Sequence, residues 1–100
     1  MSVLLTRIGT PHPGKQSEAL KYAHARRDAV NKNYGLHANV YLRFGGPVGQ
    51  VVMVESFADV AAVEKLKREI VAATQAGTFN VSPADVFDAI EEHVWISTDE

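Results

Sequence analysis

The fold of this chain is decided by residues 37–57, which read HANVYLRFGGPVGQVVMVESF. In residues 37–44, small or apolar side chains alternate with polar or aromatic ones, which is the period-two pattern of a strand with two unlike faces. The glycines and the proline of residues 45–49 favour a chain reversal, because glycine tolerates positive φ and proline cannot donate to a strand ladder. Residues 50–57 form the predicted return strand, so this stretch predicts a β-hairpin.

The length of the turn sets the register of this hairpin. A five-residue turn would pair Phe44 with Gln50 and Val40 with Val54. The polar face of the hairpin would then consist of His37, Asn39, Tyr41, Arg43 and Glu55. A slip of one residue would move every side chain of the return strand to the other face, so the position of Glu55 depends on this turn.

The rest of the chain alternates between strand and helix patterns. We predict a strand over residues 2–10, helices over 16–34 and 59–76, a short helix over 82–92 and a last strand over 93–98. The order βαββαβ predicts one α+β domain over residues 1–100, with a ferredoxin-like antiparallel sheet and the helices on one face. Apolar residues also occupy the other face, so we expect a second copy to cover it and form a homodimer.

Composition narrows the classes of function. The chain has no cysteine, which excludes disulfides, thiolate catalysis and cysteine-ligated metals. A formal charge of −2 with scattered basic residues gives no basis for nucleic-acid binding. We find no signal peptide and no apolar run long enough to cross a membrane, so we expect a cytoplasmic protein without a membrane partner. The four histidines lack the spacing of a metal site, and we expect no cofactor, although a single histidine ligating haem leaves no spacing to test.

One candidate site lies where the predicted first helix would meet the polar face of the hairpin. At 100° per residue, Arg27 falls in the middle of the apolar stripe of that helix, and His24 and Asn31 flank it. An arginine on the side facing the core needs a partner or a wet cavity. The alternatives are that the stem of Arg27 packs while its head reaches solvent, or that Arg27 and Glu55 form a structural ion pair.

If the two polar surfaces converge, their residue types suit a small ligand. Arg27 would hold a carboxylate or phenolate, and His24 and His37 would transfer protons or donate hydrogen bonds. Asn39 and Tyr41 would orient the ligand. The remaining residues expected to line the site are Arg43, Glu55 and Trp95. The competing interpretations are that the polar face of the hairpin is solvated, and that Trp95 and Tyr41 are core or dimer contacts.

The strand VVMVESF followed by the helix over 59–76, and the short helix before HVWIST, resemble the dimeric α/β-barrel superfamily. This superfamily includes antibiotic-biosynthesis-type monooxygenases, NIPSNAP-like and EthD-like proteins, stress-responsive barrel proteins and muconolactone isomerases. The resemblance implies two sheets paired into a barrel and a pocket between the sheet and the helices of each subunit. It also implies that a phenolic or quinol-type substrate would be held by residue types matched here by Asn39, Tyr41, Trp95, His24 and Arg27.

Three roles follow from these observations. The leading hypothesis is a homodimer that binds a small aromatic or carboxylated molecule between helix and sheet. The second is a cofactor-independent monooxygenase or isomerase that uses the same pocket. The third is a non-catalytic assembly module. The sequence therefore leaves open whether the protein is an enzyme.

Overall fold

A computed structural model describes residues 2–46, 49–77 and 86–99 of the chain. The strands and helices are β1 Val3–Pro11, α1 Gln16–Tyr34, β2 Asn39–Leu42, β3 Val51–Phe57, α2 Val60–Gln75 and β4 Phe87–Ile96. The strands form one antiparallel sheet in the order β2-β3-β1-β4. This arrangement confirms the predicted α+β ferredoxin-like fold.

Helix α2 packs on the face of the sheet that we call the helix face. Its N-terminus is capped by Asp59, whose side chain accepts a hydrogen bond from the backbone N–H of Ala62 at 2.8 Å. The core between α2 and the sheet consists of Val3, Leu5, Phe57, Val63 and Leu66. Since Val3 pairs with Phe57 across β1 and β3, both strands contribute to this core from one face.

Helix α1 packs on the same face, beside α2. Its buried residues are Ala19, Ala23, Arg26 and Val30, and the two alanines pack against Val51 and Met53 of β3. The helix ends at Gly35, whose φ of 65° is the left-handed conformation that favours glycine. Asn31 joins α1 to the start of β2: its side chain accepts from the N–H of Ala38 at 2.8 Å and donates to the carbonyl of Ala38 at 3.3 Å.

The predicted register of the hairpin is wrong by one residue. Leu42 pairs with Val51 and Val40 with Met53, and β2 is shorter than predicted. This register places the alternate residues of β3, Val51, Met53, Glu55 and Phe57, in the buried interior under the helices. Burial of three large apolar side chains outweighs the turn geometry assumed from the glycines. Glu55 therefore lies on the opposite face of the sheet from Tyr41.

The predicted short third helix is also wrong over its second half, because β4 already begins at Phe87. Residues 82–85, at the predicted start of this helix, lie outside the described residues. Phe87 is buried against Tyr22 with the two ring centroids 5.4 Å apart, and its ring lies directly over Gly9. Strand β4 has ten residues and pairs along the whole of β1, whereas a helix up to residue 92 would have left residues 7–11 of β1 without this partner.

The opposite face of the sheet, which we call the open face, carries no helix in the part of the chain that the structure describes. It is formed by Leu4, Thr6, Ile8, Asn39, Tyr41, Val52, Val54, Ser56, Glu91, His93 and Trp95. Large side chains on it remain accessible: Tyr41 is 54% exposed and Trp95 is 55% exposed. Trp95 donates its indole N–H to the hydroxyl of Thr6 at 2.8 Å, which fixes the ring on this surface.

Candidate functional site

The helix face contains a buried carboxylate, Glu55 of β3, which is only 1% exposed. Its Oε1 accepts a hydrogen bond from Nη1 of Arg7 at 2.7 Å, and Nη2 of Arg26 lies 3.5 Å from the same oxygen. Its Oε2 is buried and has no hydrogen-bond partner among the described residues. Because an unpaired buried charge is costly, the two arginines are what allow a carboxylate at this position.

These arginines come from different elements, and local periodicity positions both. Arg7 follows Val3 and Leu5 on alternate positions of β1, so it points toward the helices. Arg26 lies three residues after the buried Ala23 on α1 and is 6% exposed. A strand and a helix thus bring two cations to one carboxylate on a third element.

Burial alters the proton affinity of two groups at this cluster. Burial lowers the pKa of Arg26, and the positive charge of Arg7 lowers it further, while the charge of Glu55 opposes both effects. Burial raises the pKa of Tyr22, with Arg26 and Arg7 acting in the opposite direction. The hydroxyl of Tyr22 is therefore neutral near pH 7 and can donate a hydrogen bond.

A second carboxylate, Glu92 of β4, lies on the outer side of Arg7. Its Oε2 accepts a hydrogen bond from Nε of Arg7 at 3.1 Å, and its Oε1 accepts from the ammonium group of Lys67 on α2. Burial alone would raise the pKa of Glu92, but the hydrogen bond from Lys67 and the charge of Arg7 outweigh it, so this pKa lies below its ordinary value. We call Arg7, Arg26, Glu55, Lys67 and Glu92 the ionic cluster.

A cavity of about 220 Å³ opens beside the ionic cluster, between α2 and the sheet. The residues lining it are Arg7, Lys67, Ile70, Val71 and Glu92, which we call the α2 pocket. Ile70 and Val71 form an aliphatic part of the lining, which we call the aliphatic wall. Arg7, Lys67 and Glu92 supply two cations and one carboxylate, which we call the charged wall, and Lys67 lies on α2 beside the aliphatic residues. Such a pocket can hold an apolar body on one side and an anionic group on the other.

The structure separates most of the residues predicted from the sequence to form a site. Asn39, Tyr41 and Trp95 lie on the open face, whereas Glu55 belongs to the buried cluster on the helix face. His24 and His37 are exposed. The catalytic and binding roles assigned to these residues stay predictions, and the single pocket in which we expected them to meet is replaced by two surfaces.

The two remaining predicted residues are held by local contacts. Arg27 is half-buried and its Nε donates to Oδ1 of the adjacent Asp28 at 3.0 Å. An ion pair with Glu55 was one of the alternatives for Arg27, and the structure forms that pair with Arg7 and Arg26 instead. Arg43 donates to the carbonyl of Gly45 at 2.7 Å and to Oε1 of Gln50 at 2.8 Å, and it closes the hairpin turn.

Sequence reasoning missed four members of the ionic cluster, although two of them left a signal. Arg7 continues the alternation of two buried residues in β1, and Arg26 continues the 19, 23, 26, 30 spacing of α1. Glu92 was hidden by the wrong helix prediction, and Lys67 by its place in a charged run. Among the described residues, no group of three His, Asp or Glu could hold a metal ion, and no described helix is long and apolar enough to span a membrane.

Comparison with solved structures identifies proteins of the same architecture. A NIPSNAP family protein from Agrobacterium tumefaciens superposes with a TM-score of 0.74 and 18% identity, over 99% of this chain and 95% of that one. An uncharacterised NIPSNAP domain protein from Burkholderia xenovorans superposes with a TM-score of 0.76 and 15% identity, over 97% and 95% of the two chains. A protein from Mycobacterium tuberculosis superposes with a TM-score of 0.71 and 16% identity, over 100% and 98%.

These superpositions confirm the predicted NIPSNAP-like resemblance at the level of the fold. The similarity extends over nearly the whole of each chain, so no large part of the fold lacks a counterpart. No protein-family model and no curated protein matches the sequence. The function must therefore be argued from the pocket and the surfaces of this chain.

Proposed function

We propose that the protein is a homodimer that binds a small carboxylate-bearing molecule, aromatic or aliphatic, in the α2 pocket. The observation that carries this proposal is the pairing of two cations, Arg7 and Lys67, with an aliphatic wall formed by Ile70 and Val71. A ligand with an anionic group and a compact apolar body complements both walls. This function corresponds to the ligand class expected from the sequence, at a different set of residues.

Charge in the pocket favours an anion. Of the lining residues that the structure describes, Arg7 and Lys67 are positive and Glu92 is negative, which leaves one positive charge in excess. Arginine presents a planar fork of donors that suits a carboxylate, whereas lysine acts as a point charge. Binding an anion here would neutralise the excess charge in a partly desolvated place.

The size of the cavity limits the ligand. Its volume of about 220 Å³ is below the roughly 300–1,000 Å³ typical of sites for drug-sized ligands. A single aromatic ring or a short branched chain bearing a carboxylate is therefore the appropriate size.

The rigidity of Arg7 supports binding rather than a purely structural role for the pocket. Its Nη1 is held by the buried Glu55 and its side chain is only 14% exposed, so its position is fixed before a ligand arrives. Preorganised donors cost less conformational entropy when a ligand binds. Lys67 is 43% exposed at its side chain and supplies an adjustable second contact.

The open face supports the dimer. Tyr41, Trp95 and Leu4 expose apolar area next to the half-buried Val52 and Val54, and the charged side chain of Glu91 lies at the rim. Tyr41 and Trp95 lie on the two edge strands and flank the apolar residues of β1 and β3, and exposed aromatic residues are enriched at protein interfaces. A two-fold axis across this sheet would cover the same patch on both copies.

Calorimetric titration with 4-hydroxybenzoate and its neutral analogue 4-hydroxybenzamide tests the ligand proposal. We expect the wild-type protein to bind the acid and to bind the amide at least roughly tenfold more weakly, since a charge-assisted hydrogen bond contributes about 1.5–3 kcal/mol. Lys67→Met should reduce this preference, because it removes one of the two cations. Lys21→Met, at an exposed position of α1, is the matched control and should preserve it.

Three results would contradict the proposal. The first is an equal affinity for acid and amide, and the second is an unchanged preference in Lys67→Met. The third is a loss of binding in Arg27→Met while Lys67→Met binds normally, which would return the site to the residues predicted from the sequence. If the acid preference is observed, a panel of short aliphatic acids, titrated in the same way, defines the apolar body that the pocket accepts.

A further inference from the structure

The anionic position of the α2 pocket is already occupied by a side chain of the protein. The carboxylate of Glu92 bridges the two cations that line the pocket, with Oε2 on Nε of Arg7 at 3.1 Å and Oε1 on the ammonium group of Lys67. A ligand carboxylate that used both cations would need the same donors. The two carboxylates therefore compete for one place.

Glu92 is also free to leave this place. Its side chain is 35% exposed, and β4 is one of the two edge strands of the sheet, so rotation toward water requires no rearrangement of the core. Glu55 differs in this respect, since its side chain is 2% exposed and lies behind Arg7. One carboxylate of the cluster is fixed and the other is exchangeable.

We infer that Glu92 is an internal competitor that holds the α2 pocket closed to weak anions and is displaced by the ligand carboxylate. This inference rests on the proposed function and names the residue that sets its affinity and selectivity. In the free protein, Glu92 keeps Arg7 and Lys67 in place and neutralises part of their charge. In the bound protein, the ligand takes over both cations and Glu92 turns to solvent.

Selectivity follows from this exchange. A neutral ligand displaces Glu92 less readily than an acid does, because it would leave Arg7 and Lys67 with weaker partners. A small inorganic monoanion can bind the two cations but makes no apolar contact with Ile70 and Val71. Its binding free energy therefore does not offset the loss of the ion pairs of Glu92. Only a ligand that combines a carboxylate with an apolar body gains enough from both walls.

Titration of Glu92→Gln with 4-hydroxybenzoate tests this inference. Glutamine keeps the size of the side chain and removes its charge, so we expect affinity for the acid to rise roughly three- to tenfold over wild type, on the scale of exposed ion pairs. Affinity for 4-hydroxybenzamide should change less than twofold. Glu64→Gln, which removes the same charge from the outer surface of α2, should leave both affinities unchanged.

The outcomes separate this inference from the proposed function. Weaker or equal binding of the acid by Glu92→Gln, when wild type binds, overturns the competitor role and leaves the pocket assignment standing. Binding by Glu92→Gln alone supports the competitor role, since the native carboxylate then blocks the site. If neither protein binds the acid, both the pocket and the competitor role are wrong.

Discussion

Replacing Glu55 is the most direct test of the buried half of the ionic cluster. Glu55→Leu removes the carboxylate that pairs with Arg7 at 2.7 Å and Arg26 at 3.5 Å. The buried Arg26 then loses this partner, whereas Arg7 keeps its contact with Glu92. Breaking a buried ion pair by removing one partner typically costs about 3–5 kcal/mol. The hydrogen bond from Arg7 accounts for about 1.5–3 kcal/mol of this, and the desolvated positive charge accounts for the rest.

The magnitude is large relative to the stability of a domain of this size. Since about 1 kcal/mol shifts the Tm of a 60–100-residue domain by roughly 4–8 °C, Glu55→Leu should lower Tm by roughly 12–40 °C. Urea unfolding followed by circular dichroism at a fixed protein concentration measures the free energy of unfolding. Glu64→Leu, at an exposed position, is the control and should change it by less than about 0.5 kcal/mol.

A second variant separates charge from packing. Arg7→Met combined with Glu55→Leu removes the strongest pair together, so the double variant should be more stable than the sum of the two single losses predicts, with a coupling of about 0.5–3 kcal/mol. A loss below about 1 kcal/mol for Glu55→Leu, or strictly additive losses, would refute the view that Glu55 is held by charge. The side chain would then act only as a spacer in the core.

Three further predictions concern the open face, Gly9 and Glu92. Trp95→Asp should halve the mass measured by light scattering at micromolar concentration, because it places a charge on the open face. Val60→Asp, on α2, is the control and should keep the mass of the dimer. Equal masses for the two variants would argue against this interface. Gly9→Ala should cost about 1–3 kcal/mol in urea unfolding, since a methyl group there would meet the ring of Phe87, and a smaller cost would mean that the ring moves freely. The pKa of Glu92 is lowered in the folded protein, so its contribution to stability is complete above the ordinary value of 4.5 and is lost as the pH falls through the folded value. The Tm advantage of wild type over Glu92→Gln should therefore shrink between about pH 5 and pH 3. A constant advantage would contradict the ion pairs of Glu92.

The fold could be predicted from the sequence because its elements follow strong local patterns. The spacing of apolar residues and Gly35 predicted α1 with the bounds that the structure has. Register was harder, because glycines at 45, 46 and 49 allow several turn lengths, and only burial under the helices selects among them. The segment after α2 failed for a related reason: a good helix start at residues 82–85 gave no sign that residues 87–92 would pair with β1.

The site could not be predicted to the same degree, because it depends on small rotations. The predicted apolar stripe of α1 joined Leu20, Ala23, Val30 and Tyr34 and placed Arg27 inward. The buried residues of the helix are Ala19, Ala23, Arg26 and Val30, so Arg26 points inward instead. A shift of one residue turns the side-chain direction by about 100° on a helix and moves the side chain to the opposite face on a strand. Errors of a single residue in α1 and in β3 were enough to replace the predicted cluster by another.

The alternation of strands also explains how one small sheet can serve two purposes. On β1, Arg7 points into the ionic cluster while its neighbours Thr6 and Ile8 point to the open face. On β4, Glu92 points into the ionic cluster while its neighbours Glu91 and His93 point to the open face. Strands β1 and β4 therefore each contribute to the pocket and to the proposed dimer surface, and no side chain belongs to both. For that reason, a substitution on the open face can remove the dimer while the pocket keeps its residues, and the two proposals stand or fall by separate measurements.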